Sequence, residues 1–362
     1  MLRFPRPSRF VDFARSRVRP LDIKLETVQN VLKQYDLTLA GKPSNLPLSR
    51  RTGNIVLPTK AGKKVLKRYR DHLQPAGIEY IHSILLRLQE LSVPSPTLVA
   101  MPSGENFTAS VSGKYAIFDF IEGSNYSLDF ILPADRARLI EASGKVLANF
   151  HKSLNGFLPK GAHHLGFASY TGDWQRDIHW FANKVVELRK KSAKIANAQE
   201  KETADWLVSH SDDILEAYNH LDASLRNINL MRTIIHGDFG LHNLIFQKDG
   251  RIVITDYETA RLEWRLGDLV STLSRSRSQD TMYRFESIKR FLAGYQSVYP
   301  IPLEEWQSLA KVWQFFKLRS VFINWNSYFE RGGSKLSSAL DAYHQAEWAQ
   351  ANADTLLKLR DL

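Results

Sequence analysis

The sequence predicts an α+β protein in which a small, strand-rich N-terminal lobe precedes a larger, mainly helical lobe. Three observations support this. Between Pro43 and Ile121, short apolar runs bounded by turn residues alternate with a single helical segment. From Pro133 onward, apolar residues recur at helical spacing over long stretches. One strand–loop–strand segment, Thr233 to Ala260, interrupts that helical half.

The elements follow in order. Ile55-Val56-Leu57 is an apolar run set between Thr52-Gly53-Asn54 and Pro58, and Thr59-Lys60-Ala61-Gly62 reads as a turn into a second run, Lys63 to Tyr69. Ile78, Ile81, Leu85, Leu88 and Leu91 then mark a helix that Pro94 and Pro96 bring to an end. Tyr115 to Ile121 carries alternating bulky residues, as a half-buried strand does, and stops at Glu122-Gly123. Pro133 opens a helix with Leu139, Val146, Leu147, Phe150 and Leu154 on one face. Further helical segments cover about 174–194, 200–218 and most of 304 to the end. The expected organisation is a basic arm and leading helix over 1–40, a first lobe over 41–122 with a hinge near Phe120 to Gly123, and a helical lobe over 123–362.

Composition narrows the class. With 362 residues, 43% of them hydrophobic and 24% charged, the chain has the apolar content for a sizeable core. No run of about 18 apolar residues occurs, so no transmembrane helix and no membrane partner are expected. The absence of cysteine excludes disulfides and thiolate metal sites, fits a reducing compartment, and leads us to expect a cytoplasmic location. The net charge of +11 is uneven. Arg3, Arg6, Arg9, Arg15, Arg17 and Arg19 against Asp12 give +5 in the first twenty residues, which leaves +6 for the other 342. That start resembles a transit peptide or a phosphate-touching arm, and we read it as a loosely ordered arm. No apolar stretch follows to make it a secretory signal. The isoelectric point is about 9.6, yet no recognised binding motif accompanies it, which argues against a nucleic-acid ligand.

The most informative stretch runs Ile234-Ile235-His236-Gly237-Asp238-Phe239-Gly240-Leu241-His242-Asn243-Leu244-Ile245-Phe246, followed by Gly250-Arg251-Ile252-Val253-Ile254-Thr255-Asp256-Tyr257-Glu258. Phosphoryl transfer asks little covalent help from protein, but it needs position and charge neutralisation. One carboxylate must orient or deprotonate the attacking hydroxyl, and hard oxygen ligands must hold a cation on the phosphates. Asn243 lies five positions after Asp238, the offset of the Asp and Asn in kinase catalytic loops. Leu244-Ile245-Phe246, a turn at Lys248-Asp249-Gly250 and Ile252-Val253-Ile254 read as a hairpin that returns Asp256 to Asn243.

These residues resemble the aminoglycoside phosphotransferase and choline kinase-like family, relatives of the protein kinases. The His236-Gly237-Asp238 loop, Asn243, Asp256-Tyr257-Glu258 and Arg265-Leu266-Gly267-Asp268-Leu269 all match its pattern, and the likeness covers roughly Ser49 to Leu273. The resemblance implies a bilobal protein-kinase-like fold with a small antiparallel sheet in the N-lobe. It implies ATP and Mg2+, with Asp238 as catalytic base, His236 bracing the loop, Asn243 and Asp256 as metal ligands, and Asp268 holding the loop by hydrogen bonds. Lys67 sits where the family's strand-borne cation meets the phosphates, with Glu79 on the next helix as its expected partner. The Ser49 to Asn54 turn, with Arg50, Arg51 and Thr52, would cover the triphosphate, and the segment around Glu122 would contact adenine. Trp174, Trp180, Trp313, Phe316 and Trp325 are candidates to line an acceptor pocket. No acidic run suited to a polycationic antibiotic is present, so the expected acceptor is a hydroxyl of an amino alcohol, sugar or related metabolite. The alternatives are a protein-directed kinase of the same family or a nucleotide-binding pseudokinase; a pseudokinase normally lacks a base or a metal ligand, and this chain keeps all three.

Overall fold

Period-two burial and helical amphipathicity organise the chain much as the sequence suggests. The computed structural model describes residues 23–46, 53–125, 133–274 and 281–361. In chain order the elements are α1 (Leu25–Gln34), β1 (Ser44–Asn45), β2 (Asn54–Thr59), β3 (Gly62–Tyr69), α2 (Pro75–Glu90), β4 (Thr108–Ser110), β5 (Gly113–Asp119), α3 (Pro133–Ser153), α4 (Ile178–Ser192) and α5 (Ala198–Arg226). They continue with β6 (Arg232–Ile235), β7 (Leu244–Phe246), β8 (Ile252–Ile254), β9 (Arg261–Trp264), α6 (Arg265–Leu273), α7 (Thr281–Gln296), α8 (Leu303–Arg331), α9 (Lys335–Ala351) and α10 (Ala353–Lys358). Two compact units result: Met1–Arg136 with Gly156–His164 and Gly240–Glu258, and Ala137–Asn155 with Leu165–Phe239 and Thr259–Leu362.

The first unit contains an antiparallel sheet in the order β1-β2-β3-β5-β4. Along β2 every second residue is buried, so Ile55 and Leu57 point inward while Val56 does not. Val28, Val31 and Leu32 of α1 join Ile55, Leu57, Leu66, Tyr115 and Ile117 in one apolar cluster. Each such side chain, fully buried, contributes roughly 1.5–3 kcal/mol. The β2–β3 turn needs Gly62 at φ +96°, and the Thr59 hydroxyl closes it by donating to the Gly62 carbonyl at 2.6 Å. Pro75 starts α2 at a position where no amide hydrogen is required. The β7–β8 hairpin pairs Leu244 with Ile254, and its Phe246 bridges Ser124. Gly123 permits that approach, because a Cβ there would lie 2.5 Å from Ile245 Cγ2 and 2.8 Å from the Phe246 carbonyl oxygen.

The second unit is mainly helical around the short β6–β9 ladder. Helices α3 and α7 meet backbone to backbone through Gly144 and Gly294; a Cβ on either would fall 2.1 Å from a carbonyl oxygen of the other helix. Trp313 and Trp325, candidates for a pocket wall, are fully buried in the core instead, whereas Trp180 and Phe316 are half-buried. Helix α4 begins at Ile178 rather than near Trp174 because the Asp177 carboxylate caps it, accepting from the Trp180 amide at 2.9 Å. The expected C-terminal helical run is divided among α8, α9 and α10, with Gly332 and Gly333 at φ +67° and +72° making the first break. Strand β9 was not foreseen. The α+β class expected from the sequence holds: a small antiparallel sheet in one unit, mostly helices in the other. No helix among the described residues is long and apolar enough to cross a membrane.

Candidate active site

Strand β6 is apolar and buried, and the chain leaves it through His236-Gly237-Asp238. A buried carboxylate anchors this turn. Asp268, in the first turn of α6, accepts from the His236 amide at 2.6 Å through Oδ2 and from the Gly237 amide at 2.7 Å through Oδ1. His151 on α3 completes the anchor, with Nε2 3.2 Å from Asp268 Oδ2 and Nδ1 2.9 Å from the Tyr295 hydroxyl. Burial by itself would raise the Asp268 pKa, but the hydrogen bond from His151, the electrostatic influence of the His151 and His236 imidazoles and the His236 amide outweigh it and hold the carboxyl below its ordinary value. Burial lowers His151 despite the carboxylate, so the imidazole is neutral, donates from Nε2 and accepts the tyrosine proton at Nδ1. His236 is fully buried; its Nδ1 accepts from the Asp238 amide at 3.3 Å, and its carbonyl accepts from the Thr259 hydroxyl at 2.9 Å. Gly237 stands at φ +77°, and a Cβ there would lie 2.2 Å from Arg261 Nη1 and 2.6 Å from the Thr259 carbonyl oxygen. Only glycine fits this position. The backbone before Asp238 is thus held on several sides, while its side chain is half-buried.

In the first unit, the loop continues through a short 3-10 turn, Leu241–Asn243, into β7. The Asn243 carbonyl accepts from both the amide (2.8 Å) and the hydroxyl (3.1 Å) of Thr255. Asn125 clamps the carbonyls on either side, its Nδ2 lying 2.7 Å from the His242 oxygen and 3.0 Å from that of Leu244. The hairpin register therefore sets Thr255 against Asn243, and Asp256 comes next in the chain. Asp256 has φ +62°, a left-handed conformation that costs of order 1–3 kcal/mol for a residue other than glycine and clusters at functional positions.

Lys67, on β3, reaches this hairpin. Its Nζ lies 2.9 Å from Glu258 Oε1 and 3.2 Å from Asp256 Oδ1, and Glu258 Oε2 is 3.0 Å from Arg70 Nε. Burial alone would lower the lysine's pKa; Asp256 and Glu258 more than offset it and hold the pKa above the ordinary lysine value. Glu79, the expected partner, is exposed on α2 and forms no ion pair among the described residues. The inward position on α2 belongs to His82, whose Nε2 is 2.6 Å from the Tyr69 hydroxyl and whose Nδ1 is 2.6 Å from Asn106 Oδ1. Glu122 is exposed and pairs with Lys63 at 3.0 Å, while its carbonyl accepts from Gln247 Nε2 at 3.3 Å. Arg50 and Thr52 lie outside the described residues.

Asn243 offers an amide oxygen and Asp256 a carboxylate, hard oxygen donors of the kind that a divalent cation such as magnesium takes. The described residues hold no cluster of three or more histidine, aspartate or glutamate ligands. A cation held by one amide and one carboxylate completes its shell with water and phosphate oxygens, the usual habit of magnesium on nucleotides.

Residues 51–310 match the model of the phosphotransferase enzyme family, APH. The chain belongs to this family. A homoserine kinase from Zymomonas mobilis subsp. mobilis is 20% identical over 254 residues, 70% of each chain. Among solved structures, an aminoglycoside phosphotransferase from Alicyclobacillus acidocaldarius superposes with TM-score 0.60 at 16% identity, covering 98% of this chain and 100% of its own. A microcompartment-associated aminopropanol kinase gives 0.61 at 19% identity, over 94% and 99%. A choline kinase from Streptococcus pneumoniae gives 0.56 at 14%, over 90% and 99%. At these identities the likeness establishes the fold, the protein-kinase-like one the motifs imply. As a member of the phosphotransferase family the chain is a kinase.

Some of this phosphotransferase's site was not readable in advance. The carboxylate on Lys67 is Glu258, whose signal was its place two residues after Asp256. Asn125, two residues past Gly123, and His151, on α3, act through contacts distant in sequence and leave no spacing signature.

Proposed function

We propose that this phosphotransferase moves the γ-phosphate of ATP to a hydroxyl of a small molecule, an amino alcohol, a sugar or a related metabolite. Asp238 takes the hydroxyl proton as the acceptor oxygen bonds to the γ-phosphorus. The bond from that phosphorus to the β–γ bridging oxygen breaks, and ADP leaves with that oxygen. Asn243 and Asp256 hold magnesium. When bound, the ion supplies neutralising charge on the phosphates. Lys67, already positioned by Glu258, contributes a second positive charge there. His236 and Asp268 keep the loop in register, which matters because misplacing a reacting group by about 1 Å costs on the order of 100-fold in rate. Arg50 and Thr52 are proposed phosphate contacts, and the Glu122 segment a proposed adenine contact. The composition suits a cytoplasmic enzyme.

The observation that supports this reading is the hairpin register: the Thr255 amide donates to the Asn243 carbonyl at 2.8 Å, and Asp256 follows Thr255 directly. Relatives named as homoserine, aminopropanol and choline kinases support a small hydroxylated acceptor. The test is ADP release with Mg-ATP across a panel of alcohols, amino alcohols, hydroxy acids and sugars, for the natural protein and Asp256→Ala. We expect the variant to lose on the order of 100-fold or more in kcat/KM and to bind ATP with little response to magnesium. Wild-type turnover by Asp256→Ala at the same magnesium concentration would overturn the metal assignment.

A further inference from the structure

Asn125 is exposed, yet its Nδ2 faces three main-chain carbonyls of one short stretch: His242 at 2.7 Å, Leu244 at 3.0 Å and Leu241 at 3.4 Å. An amide nitrogen carries two hydrogens, so the two shorter contacts are its hydrogen bonds and the third is the weakest. The carbonyl between those two belongs to Asn243, and it accepts from the Thr255 amide and hydroxyl. Three successive carbonyls, 242 to 244, therefore each accept from a side chain.

The segment that presents Asn125 is itself fixed to the hairpin. Ser124 and Phe246 exchange backbone hydrogen bonds of 2.9 and 2.8 Å in an antiparallel bridge, and Gln247 Nε2 donates to the Glu122 carbonyl at 3.3 Å. Gly123 allows that approach, since any side chain there would collide with Ile245 and Phe246. The last carbonyls of a short helical turn lack partners within it, and at an exposed place water could supply them. A side chain adds what water does not, a fixed position. With the backbone held at residues 242, 243 and 244, only the side-chain torsions of Asn243 remain to aim its amide oxygen.

We infer that Asn125 is a positioning residue for magnesium: it holds the main chain on both sides of Asn243 and so sets the amide oxygen for the cation. The inference rests on the proposed metal role of Asn243 and adds to it a residue that acts through another. Groups that orient a metal ligand matter nearly as much as the ligand, and removing one typically costs 10- to 100-fold in metal affinity or activity.

Calorimetry with a non-hydrolysable ATP analogue, in EDTA and across a magnesium series, tests this without need of an acceptor. The proteins compared are the natural one, Asn125→Ala, Asn125→Leu and Asp256→Ala. Leucine keeps roughly the volume of asparagine and removes the donors, so it separates lost hydrogen bonds from lost bulk. Both Asn125 variants should need roughly tenfold more magnesium, or more, to reach the same analogue affinity, while affinity in EDTA stays within about twofold of the natural protein. ADP release should show the same split, falling about tenfold at limiting magnesium and recovering as magnesium saturates. A natural magnesium response in either Asn125 variant, or a loss of affinity equal in EDTA and in magnesium, overturns the inference; if Asp256→Ala loses its response in the same series, the metal assignment stands without it. Analogue binding by the natural protein that ignores magnesium defeats the metal assignment and this inference together.

Discussion

Two cations and two carboxylates meet around Lys67 in the first unit, every ion pair within 3.2 Å, whereas in the second unit Arg261 and Arg319 each stand 3.7 Å from Glu263 Oε2, which accepts no hydrogen bond among the described residues. The first group is satisfied by its own residues. Under the proposed function, its ion pairs would preset Lys67 for phosphate and Asp256 for magnesium, and ligand binding would exchange partners rather than create them. In the second group Glu263 Oε2 and Arg319 Nε are buried without a hydrogen-bond partner among the described residues. The difference lies in geometry: close ion pairs fix the side chains of the first group, while the second is held by packing around a buried carboxyl.

The largest effect is expected at the anchor beneath the catalytic loop. Asp268→Ala leaves the His236 and Gly237 amides and the His151 Nε2–H without their acceptor, all of them buried or nearly so. That should cost about 3–5 kcal/mol and lower the melting temperature by roughly 5 °C, with loss of turnover. A melting temperature within about 2 °C of the natural protein would show that this balanced, buried group is not what holds the loop.

A smaller effect, of opposite sign in the two units, comes from pH. His82 in the first unit is pushed down to about 4 by burial, so the fold favours its neutral form. The stability it contributes is present above about 6.5 and is lost as pH falls toward 4. Glu263 in the second unit is raised from 4.5 to about 7, so the fold favours its protonated form; its contribution is present below 4.5 and is lost as pH rises through 7. Each is of the order of 3 kcal/mol. Between about pH 4.5 and 6.5 the two contributions therefore oppose each other, and these groups leave the melting temperature nearly flat. His82→Gln should unmask a melting temperature that falls as pH rises from 4.5 to 7, and Glu263→Gln one that rises from pH 4 to 6.5; profiles unchanged by both substitutions would contradict the burial argument.

What the sequence disclosed follows from range. Asp238, Asn243 and Asp256 lie within nineteen residues of one another, and turn chemistry plus two apolar runs was enough to read the hairpin that links the last two. Short runs between turn residues exposed β2 and β3, alternation exposed β5, and helical spacing exposed α2 and α3. Lys67 was placed by its strand, but its partner was sought on the neighbouring helix and proved to be Glu258, nearly two hundred residues away. Tertiary pairing of that kind leaves no local trace. Strand β9 escaped for a related reason: Arg261-Leu262-Glu263-Trp264 is half charged, and its two charged residues face each other's salt links rather than solvent. The tryptophans misled because helical spacing looks the same for a core wall and a pocket wall, and Trp313 and Trp325 turned out to be core.

The most direct measurement is on Asp238→Asn, an exchange that keeps the size of the side chain and removes its ability to accept a proton. Steady-state ADP release with the preferred acceptor should fall by about 1,000-fold or more, while calorimetric binding of Mg-ATP stays within about twofold of the natural protein. Turnover within tenfold of the natural protein would contradict the account, because the proton would then have to leave by a route in which Asp238 takes no part.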